Sequence, residues 1–310
     1  MLAGALAQSI PDVDFITRLW LSNTDYILAH RGFTHSILFA VLVTIIMSFL
    51  FIRFFHKEPV AWGRWVLLFG LNLFTHIFID SFNAYGVGWF EPFSHYRFSF
   101  NVLFVADPFF SIWAFAAFVF ILFSRTSNRN RRFASLAGIA LSALYLFYAI
   151  FNKLSVESDV RFSLGAKHIP SNHFFTTPSP FNCWLWFVAA EDHAGYYISY
   201  QSVFDKEKNI DFHFFPRNDS LLVLAKKQNE VNDLLRFAQG YYTVEKWNDT
   251  LVFNVIRFGQ VVGWADPSEK FAFHYFLDKP GANELVVQRG RFEKWNRVTF
   301  HSFVERIKGN

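Results

Sequence analysis

Residues 30–36 read HRGFTHS and lead straight into SILFAVLVTIIMSFLFIRFF at 36–55. Two histidines, an arginine, a threonine and a serine therefore stand at the threshold of an apolar run of about 20 residues, enough to cross the ~30 Å hydrocarbon core of a bilayer. Three further stretches have a similar length and texture: Trp65–Phe82, Val102–Phe123 and Phe133–Phe151. The fold expected is an α-helical transmembrane bundle of about four spans, with a helical remnant at the N-terminus.

Composition agrees with that reading. Of 310 residues, 43 are Phe and 53% are hydrophobic, which points to a membrane protein or a large apolar core. A net charge of +4 is too small to suggest a nucleic-acid partner. Cys183 is the only cysteine, which excludes an intrachain disulfide and a thiolate metal cluster. MLAGALAQSI, the opening stretch, lacks the basic flank of a signal peptide and reads as the end of a helix whose earlier turns are missing.

Basic residues orient the spans. Arg53, Lys57 and Arg64 lie between the first two, and Arg125, Arg129, Arg131 and Arg132 between the last two. Both loops are expected in the cytoplasm. Arg97 is balanced by Glu91 in the remaining loop, so that loop, the N-terminal segment and everything after Phe151 fall on the opposite side. The membrane-embedded domain is expected to cover 1–152. Beyond it, 153–310 reads as a small, mostly-β soluble domain. Hairpins are expected around Glu191–Gly195, around Asn248-Asp249 and around Lys279-Pro280-Gly281, with a helix near Asn229–Gln239. The six histidines of that region, His168, His173, His193, His213, His274 and His301, are scattered and read as structural.

The chemistry concentrates at one level of the membrane. Asp12 and Asp14 follow the N-terminal stub, His30 and His35 precede the first span, His76 and Asp80 end the second, and Asp107 opens the third. His76 and Asp80 are four apart and share a helix face. Imidazole with carboxylate suits zinc and similar divalent ions. An ionisable group inside a span costs roughly 2.5–3.5 kcal/mol on insertion scales, and a bound cation offsets that. His30 and His35 converge only if HRGF is a turn, which Gly32 permits, with Thr34 or Ser36 capping the next helix. Arg31 either snorkels to headgroups or holds a phosphate; His95 and Arg97 are either interfacial or part of the site.

IPDVD, HRGFTHS, FTHIFIDSFNAYG and VADP, in that order over residues 8–110, resemble the membrane-bound metal-dependent hydrolase family that includes a LexA-regulated bacterial inner-membrane protein. The resemblance implies a multi-pass protein of the bacterial inner membrane. Asp12, Asp14, His30, His35, His76 and Asp80 match the family's acidic pair, histidine pair and His-x-x-x-Asp, and would hold two or more divalent ions, zinc first. His30, Arg31 and Asp107 would act in catalysis, and Arg31, His95 and Arg97 in substrate binding. Members usually carry a further helix before the acidic pair; this sequence starts inside or after it. More loosely the pattern is similar to zinc-dependent phospholipases C, which implies a phosphoester or lipid-like substrate. The alternatives are a non-catalytic protein whose ion staples helices while the β domain recruits a partner, and a transporter component. No protein partner is named by any motif.

Overall fold

The computed structural model describes residues 2–55, 60–123, 127–171, 173–279, 283, 292 and 294–309. They form two compact units. The first comprises residues up to Phe100 together with Asn232–Phe237, and the second the remainder.

In the first unit, α1 (Leu2–Ser9) is followed by a 3-10 segment (Pro11–Leu19), α2 (Asn23–Ala29), a 3-10 turn (Phe33–His35), α3 (Ile37–Phe54) and α4 (Trp62–Asp80). Ser36 caps α3 by accepting a hydrogen bond from the Phe39 amide at 3.0 Å, which leaves Thr34 free for another task. α3 packs beside α4, and α1 packs on α4. The buried side of α3 carries Ala40, Thr44, Met47 and Ser48, whereas Val41, Leu42, Ile45, Ile46 and Phe49 are exposed. Small residues at the contact with apolar residues outside is the pattern of a helix solvated by lipid. Thr44 satisfies its buried hydroxyl on the Ala40 carbonyl at 2.6 Å.

In the second unit, α5 (Pro108–Phe123) pairs with α6 (Asn128–Ala166). Gly138 makes the close approach possible, since a Cβ there would lie 2.7 Å from that of Ala117. Among the described residues, three helices, α3, α4 and α6, are long and apolar enough to cross a membrane. The span expected over Val102–Phe123 is instead a shorter apolar helix of 16 residues, about 24 Å long. Asp107 and Pro108 set its late start: the Asp107 carboxylate accepts from the amides of Phe109 (2.9 Å) and Phe110 (3.3 Å), and proline occupies the first helical position. The change of texture at Asn152 falls inside α6, which runs on to Ala166 without interruption. Its second half carries polar residues that hold the sheet region. Asn152 donates to the Cys183 carbonyl (2.9 Å) and Lys153 to the Thr176 carbonyl (3.1 Å).

Two antiparallel sheets follow. One has the order β1 (Phe174–Pro178), β2 (Leu185–Glu191), β3 (Gly195–Ser202), β4 (His213–Pro216); the other has β5 (Tyr242–Trp247), β6 (Thr250–Gln260), β7 (Phe271–Phe276). α7 (Gln228–Ala238) and α8 (Arg297–Lys308) complete the described elements. Phe187, Tyr196, Ile198, Ile256, Phe271 and Phe303 share one core, with residues from both sheets and α8. The expected hairpins at Glu191–Gly195 and Asn248-Asp249 are β2–β3 and β5–β6, the second turning through Asn248 at φ 52°. The third has β7 as its first arm; the stretch expected to form its second arm lies outside the described residues, apart from Asn283.

Candidate metal centre

The loop His30–Ser36 is a folded device rather than a helix extension. Arg31 sits at φ 57°, in the left-handed region that non-glycine residues seldom adopt. That conformation turns its amide onto Asp14 Oδ2 at 2.8 Å while its carbonyl accepts from the Gly88 amide at 3.0 Å. Gly32 must follow, because a Cβ there would lie 2.9 Å from the Ala29 carbonyl oxygen. The Arg97 guanidinium locks the loop from behind by donating to the carbonyls of Leu28 and His30. Burial pushes that guanidinium down to about 10, and the nearby Arg236 charge adds to the shift.

Four side chains converge. Asp12 from the first 3-10 segment, His35 from the second, and His76 and Asp80 from α4 each offer a ligand atom, all within 4.8 Å of one another. His35 Nε2 stands 3.5 Å from Asp12 Oδ1, 3.5 Å from Asp80 Oδ2 and 3.3 Å from His76 Nε2. Two imidazole nitrogens facing each other across two carboxylates make a donor set suited to a divalent cation such as zinc. Asp80 Oδ2 is buried and faces the Arg31 guanidinium at 3.1 Å as well as the two imidazoles. Among the described residues this is one group of four.

Asp14 and His30 stand behind that group. Asp14, 2% exposed, accepts from Thr34 Oγ1 (3.2 Å) and lies 3.2 Å from His30 Nδ1 and 3.4 Å from His35 Nδ1. Thr34 Oγ1 is also 3.0 Å from His35 Nδ1. With a cation bound, His35 Nδ1–H would donate to Thr34, Thr34 to Asp14, and His35 Nε2 would offer its lone pair to the four-residue set. Thr34 is the member that reading the sequence missed; only its place between two histidines hinted at it.

The electrostatics follow from these contacts. Hydrogen bonds from His35 and then His76 hold the Asp12 carboxyl well below the usual carboxylate range. Burial works to raise Asp14, but His30 and the Arg31 amide outweigh it and the carboxyl stays low. Burial likewise works to lower His35, and the hydrogen bonds to Asp12 and Asp80 reverse it, leaving the imidazole more basic than usual. The Arg31 guanidinium lies 3.1 Å from Asp80 Oδ2 through Nε and over the Tyr85 ring at 5.6 Å. Its Nε and Nη1 have no hydrogen-bond acceptor.

The other expected site residues lie elsewhere. His95 is exposed and bonds Glu91 at 2.9 Å, and Glu91 also accepts from Arg236 at 3.1 Å. Arg97 positions backbone, as described. Asp107 belongs to the second unit, where it caps α5 and accepts the Tyr145 hydroxyl at 2.9 Å, so both its oxygens are engaged.

Comparison with known proteins agrees with the helical part. No solved structure matches the chain. YfhP of Bacillus subtilis (strain 168) is 34% identical over 118 residues, covering 38% of this chain and 35% of YfhP. The inner membrane protein YbcI of Escherichia coli (strain K12) is 32% identical over 100 residues, 32% of this chain and 56% of YbcI. The chain thus spans about a third to a half of the length of these curated relatives. A family model described as YdjM inner membrane protein matches residues 1–156. Those residues are just over half of the 310 and include the whole four-residue set, and this chain belongs to the YdjM inner membrane protein family.

Proposed function

We propose that the protein is a membrane-bound, metal-dependent hydrolase acting on a phosphoester. The observation that carries the reading is the convergence of Asp12, His35, His76 and Asp80 from three separate segments, with the Arg31 guanidinium ion-paired to Asp80 beside them. The geometry favours one ion in place of the two or more implied by resemblance, because Asp14 and His30 serve as the outer layer. A divalent cation held there supplies Lewis acidity and lowers the pKa of water toward neutrality.

The chain's own residues do the rest. Arg31 is held beside Asp80 through Nε, and its Nη1, which has no acceptor, is an N–H group available to a phosphoryl oxygen. Asp14 orients His30 through Nδ1, leaving Nε2 of that ring to hold or give up a proton. Thr34 fixes the His35 ring so that it cannot swing out of the set. The basic residues between α3 and α4 favour the non-cytoplasmic side of the inner membrane for this site.

Metal analysis of detergent-purified protein tests the site. The wild type should retain about one divalent ion per chain, and His76→Ala and Asp80→Ala should retain none. Unchanged metal content in both variants would remove the reading. A panel of soluble and lipid phosphoesters tests the chemistry. Bound metal without turnover of any member would leave the staple reading, which the tie between α4 and two 3-10 segments also favours.

A further inference from the structure

The segment Pro11–Trp20 is amphipathic in an inverted sense. Its carboxylates face inward: Asp14 is buried and Asp12 joins the four-residue set. Its apolar residues face outward, with Phe15 64%, Leu19 82% and Trp20 65% exposed, and Val13 and Ile16 beside them. An interfacial helix at the surface of a protein ordinarily turns its charges to water and its apolar face to an acyl layer or a core. Here the charges are consumed by the protein interior, so the whole outer face is apolar, apart from Arg18 in the last turn and the open edge of Asp12, whose side chain is 56% exposed.

The surroundings indicate what covers that face. The segment packs on α4 and on the 3-10 turn before α3, and Ile10, at its start, packs among Ala40, Leu73 and Ile77 of those helices. α3 and α4 are span candidates whose own outer residues, such as Ile45, Phe49, Leu67 and Leu71, are exposed. The apolar surface of Pro11–Trp20 therefore continues a lipid-facing one. Trp20 with Arg18 is the pair expected where acyl chains meet headgroups, the ring anchoring and the guanidinium reaching outward.

We infer that the outer face of Pro11–Trp20 lies in the acyl layer of one leaflet, and that the site takes the head of a lipid sideways from that leaflet. The second clause rests on the hydrolase reading; the first does not. The exposed edge of Asp12 is the opening through which a phosphoryl head reaches the four-residue set, while its hydrocarbon chains stay against Phe15 and Leu19. A substrate drawn in this way is a phospholipid or a lipid-linked phosphate, not a soluble phosphate ester.

Spin labels test the placement without reference to activity. Leu19→Cys, and Phe15→Cys as a second position, are labelled in protein reconstituted into vesicles of three parts phosphatidylcholine to one part phosphatidylglycerol. The unsubstituted chain, with Cys183 buried, is the blank. Asp249→Cys, in the exposed β5–β6 turn, is the aqueous reference. Both labels should collide with oxygen in preference to a water-soluble nickel chelate, with a ratio severalfold above that at Asp249. A ratio equal to the reference would put the face in water and overturn the inference. Low collision with both probes would mean that protein covers it, a second copy included, and would overturn it equally. Labels found in lipid, with no hydrolysis of lipid phosphoesters relative to soluble ones, would retain the placement and remove the substrate.

Discussion

Strand β2 and helix α3 solve burial in opposite ways. In β2 every residue from Leu185 to Ala190 is buried, Trp186 and Phe187 among them. In α3 the buried positions are Ala40, Thr44, Met47 and Ser48, and the largest apolar side chains point away from the protein. The composition of the two segments is similar; the solvent they were selected against is not. In water, apolar area drives the strand inward at about 25 cal/mol per Å². In lipid that drive is absent, so α3 can meet its neighbour largely through small and polar residues, against Phe69, Leu73 and Ile77 of α4. A protein region freed from hiding its apolar residues has room to hide aspartates and histidines, and the four-residue set lies in that kind of interior.

The contrast can be broken by substitution. Phe187→Ala, in the shared core of the two sheets, should cost about 3–5 kcal/mol of the stability of that region, read by denaturant or thermal unfolding of the purified protein. A small loss there would mean that the sheet core is not closed. Asp14→Asn should be intermediate. It keeps the four ligands but weakens the hydrogen-bonded support of His35 and His30, and metal affinity should fall roughly 10–100-fold with the fold intact. Competition with a calibrated chelator measures it; complete loss, as expected for Asp80→Ala, would promote Asp14 to a ligand. Ile45→Ala should do least. Its side chain faces outward from α3, so the change in thermal stability in detergent should stay within about 0.5 kcal/mol. A cost comparable to that of Phe187→Ala would mean that a protein surface covers α3.

Much of the fold was legible from local pattern. Apolar runs marked α3 and α4, and turn residues marked β2–β3 and β5–β6, because both signals depend only on near neighbours. The N-terminal part of α6 was marked in the same way, but not its length. The 39-residue helix continues through Asn152 because Asn152 and Lys153 find partners on the sheet, which no window of sequence contains. The shortening of α5 was half visible, since Asp107-Pro108 is a helix-start signal that was read as part of a longer span.

By itself the sequence determined the inventory: which segments are apolar enough for lipid, and that carboxylates and imidazoles are delivered to their ends. Only the tertiary structure decided how that inventory divides. His30 and His35 look alike in HRGFTHS, yet His35 joins the four-residue set and His30 pairs with Asp14 behind it. The left-handed turn at Arg31 and the Arg97 contacts to Leu28 and His30 aim the two rings differently. Asp12 and Asp14 divide for the same reason. Coordination depends on directions in space, and those directions come from residues up to 69 positions away along the chain.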